Sequence, residues 1–178
     1  KLSSASNLCL PYIFIGFAMT FYRYGMDTAL MKFYIDEDNG KSYFSSIFIL
    51  QLLTSIFLSI VLIIFKSPLE SILIGNGQTI FIVYISFIIF CDIIWNLVII
   101  ILRVEGKATY FVSFNLMNVL LLLGFTIYFV NMRNMGVEGV LLGNLYASII
   151  ICLLSCIFIL SPDRFSIESI DFSILKKI

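Results

Sequence analysis

Residues 79–102 read TIFIVYISFIIFCDIIWNLVIIIL and contain a single charged residue, Asp92. A helix of about 20 predominantly apolar residues is long enough to cross the hydrocarbon core of a bilayer. The stretch therefore predicts a membrane-spanning helix that carries a carboxylate near its middle.

Comparable apolar runs occur along the rest of the chain. The predicted spans cover residues 6–35, 45–65, 79–102, 109–130 and 138–160. The first run is the least uniform and contains Pro11, which membrane helices tolerate. Residues 161–178 read as a cytoplasmic lead-in to another helix. We expect an all-α transmembrane bundle of about five spans in one membrane domain.

The composition agrees with a membrane protein. Apolar residues make up 61% of the 178 residues and charged residues 12%, against about 45–50% and about 25% in soluble domains. The 11 basic and 11 acidic residues balance, so no basic surface indicates nucleic acid. The chain has no His, and its four cysteines lie in apolar runs. We therefore expect no metal, no cofactor and no enzymatic activity.

Basic residues in the loops predict the orientation, because they are in excess on the cytoplasmic side. One side would hold Lys32, Lys41, Arg103, Lys107, Arg164, Lys176 and Lys177, and the other Lys1, Lys66 and Arg133. The C-terminus is then cytoplasmic and the N-terminus outside. Because the chain starts with Lys and enters a helix from the outer side, we expect it to be a fragment lacking an earlier helix.

Four segments occur in an order that resembles a known family. They are GMDTALMKFY (25–34), LRVEGKATYF (102–111), GVEGVLLGNLYASII (136–150) and DFSILKK (171–177). Together they resemble the polysaccharide transporters, the Wzx-like O-antigen and capsule flippases of the multidrug/oligosaccharidyl-lipid/polysaccharide exporter superfamily. The resemblance implies a fragment of the N-terminal lobe of a MATE-like transporter of 12–14 helices.

The resemblance also implies a function. Such a protein would flip a polyprenyl-diphosphate-linked oligosaccharide across the bacterial cytoplasmic membrane by alternating access. The implied partners are this lipid-linked oligosaccharide, membrane lipids, a coupling cation or proton, and polysaccharide assembly proteins. Two alternatives remain: a MATE-type cation-coupled multidrug exporter, and a membrane glycan polymerase or acyltransferase.

Asp92 and Asn96 are the first candidates for the substrate or ion pathway. A carboxylate at mid-bilayer is costly and usually faces the bundle interior or water. Asn96 follows one helical turn later. Asp92 could bind a coupling ion, or it could accept a hydrogen bond from a neighbouring helix.

Arg23, Asp27 and Lys32 are charged residues in the first predicted span. On the predicted topology they lie near the inner interface. Arg23 could attract the lipid diphosphate there, or it could anchor the helix in the headgroup region by snorkelling.

The remaining candidates are amides and small residues. Asn115 and Asn118 share a helix face and could join helices by hydrogen bonds or contact sugar. Small residues let membrane helices approach closely, so helix packing is predicted at Gly25, Ala29, Gly139, Gly143 and Ala147.

Overall fold

A computed structural model describes residues 2–23, 25–36, 40–73 and 80–159. Within these ranges the chain is helical apart from short turns and contains no strand. The α-helices are α1 (Leu2–Arg23), α2 (Met26–Asp36), α3 (Gly40–Ile64), α4 (Lys66–Leu73), α5 (Ile80–Val104), α6 (Ala108–Ile127) and α7 (Gly136–Ile159), and a π-helical turn, Tyr128–Met132, follows α6. The predicted all-α architecture is confirmed. The predicted lead-in at 161–178 lies outside the described residues.

Four of the described helices are long and apolar enough to cross a membrane. They are α3 from Tyr43, α5, α6 continued through its π-helical turn to Met132, and α7. Their positions match the four clear apolar runs of the sequence. The chain is a helical membrane protein.

Helix α5 is the centre of the bundle. Its buried residues point in all directions around the helix, as in a helix surrounded by protein. Ile15 and Tyr22 of α1 belong to the same buried cluster as Phe81 to Ile93, in the first half of α5. Met26 and Leu30 of α2 belong to a second cluster with residues from Ile94 to Leu102. The α1–α2 junction is therefore level with the middle of α5.

The predicted single helix over 6–35 is wrong, because α1 ends at Arg23 and α2 begins at Met26. Gly25 lies between them with φ of +72°. Its carbonyl accepts hydrogen bonds from the Thr28 hydroxyl at 2.7 Å and the Thr28 amide at 3.2 Å. These hydrogen bonds form the first turn of α2, although the backbone of Gly25 itself is not helical.

Gly25 was predicted to pack against a neighbouring helix, and this prediction is also wrong. Gly25 is exposed, and a Cβ added to it would meet nothing within 4 Å. A positive φ strains any residue with a Cβ but not glycine. Glycine is therefore needed at position 25 for the backbone conformation of the turn and not for close helix packing.

Helices α6 and α7 approach closely along a stripe of small residues. A Cβ at Gly143 would lie 2.8 Å from the backbone N and Cα of Thr126. A Cβ at Gly139 would lie 3.0 Å from the carbonyl carbon of Phe129. Ala147, one turn beyond Gly143, is fully buried. This is the close contact that the small-residue pattern predicts.

The connection between the second and third predicted spans is more ordered than its turn-like sequence indicates. It contains α4, an eight-residue helix that packs against α1, α3 and α5. Glu70 of α4 is buried with 6% of its surface exposed. Pro68 lies in the first turn of α4, where proline is tolerated.

Candidate functional site

Asp27 connects three helices at the α1–α2 junction. The amide Nδ2 of Asn96 on α5 donates to both carboxylate oxygens of Asp27, at 3.2 Å each. The guanidinium Nη1 of Arg23 lies 3.7 Å from Asp27 Oδ2. Three of the residues predicted for the pathway, Arg23, Asp27 and Asn96, therefore lie in one polar cluster.

The cluster lies beside the second half of α5. Asn96 lies eight residues before the end of α5 at Val104, which is about 12 Å along a helix axis. Because α1 ends at Arg23, Arg23 and Asp27 do not belong to one continuous helix, and Asp27 meets Asn96 of α5. Their position near the inner interface stays a prediction.

Asp92 lies one turn before Asn96 on α5. Its carboxylate oxygen Oδ1 accepts a hydrogen bond of 2.7 Å from the hydroxyl of Ser148 on α7. Asp92 thus has a hydrogen-bond donor on a neighbouring helix.

The end of α1 is held by α3. A helix break leaves carbonyl groups without their usual partners, and the Tyr22 carbonyl accepts a hydrogen bond from Nε2 of the buried Gln51 side chain. The Tyr22 hydroxyl lies 3.2 Å from the Ser59 hydroxyl. Two side chains of α3 therefore fix the position of the residue that precedes Arg23.

The other end of α2 is held by the turn between α5 and α6. The Tyr34 hydroxyl donates to Glu105 Oε1 at 2.9 Å. The Lys107 ammonium lies 2.8 Å from Glu105 Oε2. With the Asn96–Asp27 contact, α2 is attached to the α5 side of the bundle at both of its ends.

The other predicted site residues lie away from the cluster. Lys32 is exposed on α2, and Ala29 is half-buried there. The amide of Asn115 donates to the Phe111 carbonyl of its own helix at 2.7 Å. Asn118 is half-buried on α6. Neither amide joins the charged cluster.

One polar partner in the bundle could not be recognised in the sequence. It is Ser148, whose hydroxyl binds Asp92. The available signal was the i, i+4 spacing of Asn144 and Ser148 on an otherwise apolar helix, which places both residues on one face.

The site contains one cation and two carboxylates, from Arg23, Asp27 and Asp92. Among the described residues no group of three or more potential ligands could hold a metal ion. Charged groups inside membrane bundles are expensive and are commonly part of a substrate or ion pathway. The chain is therefore a helical membrane protein with a cluster of charged residues beside the middle of its central helix. This cluster is a candidate for a substrate or ion pathway.

Comparison with protein-family models, with curated proteins and with solved structures finds no match to this chain.

Proposed function

We propose that the protein is a membrane transporter that flips a polyprenyl-diphosphate-linked oligosaccharide across the bacterial cytoplasmic membrane. The observation that carries the proposal is the position of Arg23, Asp27 and Asp92 level with the middle of α5, where charges are costly unless they serve a pathway. The order of the four family-like motifs supports the substrate class.

Arg23 is suited to an anionic substrate. Its side chain is 43% exposed, and its Nε is buried without a hydrogen-bond partner. The 3.7 Å separation from Asp27 is longer than a hydrogen bond. Guanidinium groups bind phosphate oxygens through paired N–H donors. The exposed part of the Arg23 side chain is therefore where a diphosphate could bind, whereas the buried Nε is not accessible to it.

The interrupted helix also supports transport. Discontinuous membrane helices form the substrate and ion sites of many transporters, because the ends of half-helices expose backbone groups inside the membrane. The α1–α2 break places such ends beside Arg23 and Asp27. An unbroken structural helix would offer no backbone groups at this depth.

The charges of the cluster favour coupling to a cation. With both carboxylates ionised, Arg23 neutralises only one of them, and a net negative charge in a low-dielectric bundle is unfavourable. A proton or a monovalent cation at Asp92 or Asp27 would remove this imbalance. The same negative charge favours the second candidate function, a cation-coupled exporter of organic cations.

The two candidates are separated by assaying the protein, expressed from its native reading frame, in proteoliposomes. One assay follows the exposure of a labelled polyprenyl-diphosphate oligosaccharide to a lectin outside the vesicle. The other follows efflux of a fluorescent organic cation. Flipping without efflux supports the proposal, and efflux without flipping replaces it with the exporter.

The charged cluster is tested by Arg23→Ala and Asp92→Asn at matched membrane insertion. We expect each variant to lower the flipping rate by about tenfold or more, equivalent to about 1.4 kcal/mol. Arg133→Ala is the matched control, because Arg133 lies in the turn after α6 with its guanidinium 5.8 Å from the Tyr128 ring centroid. Equal rates for Arg23→Ala and Arg133→Ala would reject a role for the cluster in transport.

A further inference from the structure

Helix α6 and its π-helical turn form a membrane span that the described chain leaves largely uncovered. The span Ala108–Met132 has 0% of its most apolar stretch buried. It contains no charged residue, and Arg133 follows it directly. Its 25 residues extend for about 37 Å, slightly more than the hydrocarbon core of about 30 Å. Arg133 therefore lies at a membrane–water interface, at the level of the lipid headgroups.

An open cleft of about 380 Å³ lies along this span. The residues that line it share one side of the helix and are Leu120, Leu121, Gly124, Phe125 and Tyr128. A Cβ added to Gly124 would meet nothing within 4 Å, so no side chain fills the cleft at this point. Thr126, which meets Gly143 of α7, is two residues further on and about 200° around the helix. The cleft therefore opens away from the contact with α7.

The tyrosine at one end of the cleft holds Arg133. The Arg133 Nε donates to the Tyr128 hydroxyl at 3.4 Å, and the guanidinium carbon lies 5.8 Å from the centroid of the Tyr128 ring. Tyr128 is 41% exposed, and Arg133 is exposed as well. The ring that lines the cleft thus also positions the positive charge next to it.

A cation at the interface beside an apolar cleft matches the two parts of a phospholipid. Guanidinium groups bind phosphate oxygens through charge-assisted N–H donors, and one guanidinium balances the single charge of a phosphodiester. From Tyr128 to Leu120 the cleft extends for about 12 Å along the helix axis. At this depth an acyl chain is the surrounding solvent and needs no hydrogen-bond partner.

The same side of α6 is poorly suited to another helix. Membrane helices approach each other through small residues spaced one turn apart. The positions one turn before and after Gly124 are Leu120 and Tyr128, which are large. A second copy in the same membrane orientation, paired through this side, would also bring its own Arg133 to the same level. Such a contact between like charges is unfavourable.

We infer that Arg133, Tyr128 and the cleft at Gly124 form a binding site for a membrane phospholipid. Its phosphate contacts Arg133, and one acyl chain lies in the cleft. The site involves neither Arg23 nor its carboxylate partner Asp27, so lipid binding does not depend on the proposed transport function. Bound lipid holds the end of α6 at the membrane interface.

Photo-crosslinking tests the inference on the full protein in detergent micelles. The probe is dioleoyl phosphatidylglycerol with a diazirine in one acyl chain, and the labelled peptides are identified by mass spectrometry. We expect labelling within residues 120–128. An excess of unlabelled phosphatidylglycerol should remove this labelling, whereas dioleoylglycerol, which lacks the phosphate, should not.

Two variants remove the two parts of the site separately. Arg133→Gln removes the charge, and we expect it to lower the labelling of residues 120–128 by about tenfold, because a charge-assisted contact is lost. Gly124→Leu fills the cleft without a clash, since an added Cβ meets open space. It should lower the labelling by at least as much, because the acyl chain is excluded.

Matched controls exist for both variants. Lys66→Gln removes another exposed cation, which lies on the same predicted side of the membrane as Arg133. Gly16→Leu adds the same side chain at an exposed glycine of α1, where an added Cβ also meets nothing within 4 Å. Both control variants should be labelled within residues 120–128 as strongly as the unmodified protein.

The inference fails on distinct outcomes. Equal labelling in all four variants would show bulk lipid contact only. A loss in Gly124→Leu without a loss in Arg133→Gln would overturn the recognition of phosphate. Stronger competition by polyprenyl phosphate than by phosphatidylglycerol would assign the cleft to a carrier lipid, and a cross-link between two copies of α6 would assign it to a second protein chain. Each result leaves the flipping assay unaffected, so the inference can fail while the proposed function stands.

Discussion

Two glycines have different roles in the fold: Gly143 lies within α7 at its contact with α6, and Gly25 lies between α1 and α2. At Gly143 an added Cβ would be 2.8 Å from the Thr126 backbone. At Gly25 an added Cβ would touch nothing, but φ is +72°. The first position needs glycine for space and the second for its backbone conformation.

The difference shows why a glycine in an apolar sequence has no single interpretation. The seam is a contact of two helix backbones, where van der Waals packing gives the association energy. The junction is a turn whose neighbours are charged, and its stability depends on side chains that replace lost helix hydrogen bonds. The following variants separate these two origins.

Gly143→Ala should have the largest effect on stability. The new methyl group would overlap the backbone of Thr126, which cannot move away as a flexible side chain could. Overpacking of this kind costs about 1–3 kcal/mol, and we expect the upper part of that range. The free energy of unfolding in mixed detergent micelles measures it. A loss no greater than that of Gly25→Ala would contradict the distinction between the two glycines.

Gly25→Ala should destabilise the protein by strain alone. An L-residue in the left-handed region costs about 1–2 kcal/mol. Asparagine tolerates this conformation better than alanine, so Gly25→Asn should lose less stability than Gly25→Ala. The same unfolding assay applies. If close packing at Gly25 were the constraint, Gly25→Asn would lose more stability than Gly25→Ala, because asparagine is the larger residue.

Gln51→Leu should leave the Tyr22 carbonyl without its side-chain donor at the end of α1. Interhelical hydrogen bonds in membranes contribute about 0.6–2 kcal/mol, and we expect a loss in this range. Thr54→Val is the matched control, because the Thr54 hydroxyl donates to the Leu50 and Gln51 carbonyls of its own helix. Equal losses for the two variants would show that Gln51 does not stabilise the junction.

Gly124→Ala should have the smallest effect and the opposite sign. Gly124 lies within α6, is exposed and would present its Cβ to open space. Alanine is favoured over glycine inside a helix by about 0.5–1 kcal/mol. A small gain in the free energy of unfolding is expected. A loss would mean that α6 is more closely packed at this position than the structure shows.

Much of the helical architecture could be predicted from apolar run lengths, because a bilayer imposes a minimum length on each span. The seam between α6 and α7 could also be predicted, since Gly139, Gly143 and Ala147 recur at one-turn intervals. The break at Gly25 could not. Its flanking residues, from Tyr22 to Leu30, lie within one predicted membrane span, and glycine alone does not end a membrane helix.

The sequence indicated the residues of the candidate site but not how they are arranged in space. Arg23, Asp27, Asp92 and Asn96 were recognised because charged and amide groups are unusual within apolar runs. Their grouping depends on the break, which places Asp27 against Asn96 rather than at the end of its helix. The partner of Asp92 was missed because serine is common in membrane helices and gives no distinct signal.

The sequence by itself determined that this protein is a bundle of membrane helices with few charges, because hydrophobic length and composition act locally along the chain. The tertiary structure alone decided which helix is central, which carboxylate meets which donor, and which side of α1 remains open. Those outcomes depend on contacts between segments distant in the chain. Helix α5 and helix α6 illustrate the limit, since both are apolar spans, yet 72% of the most apolar stretch of α5 is buried and 0% of that of α6.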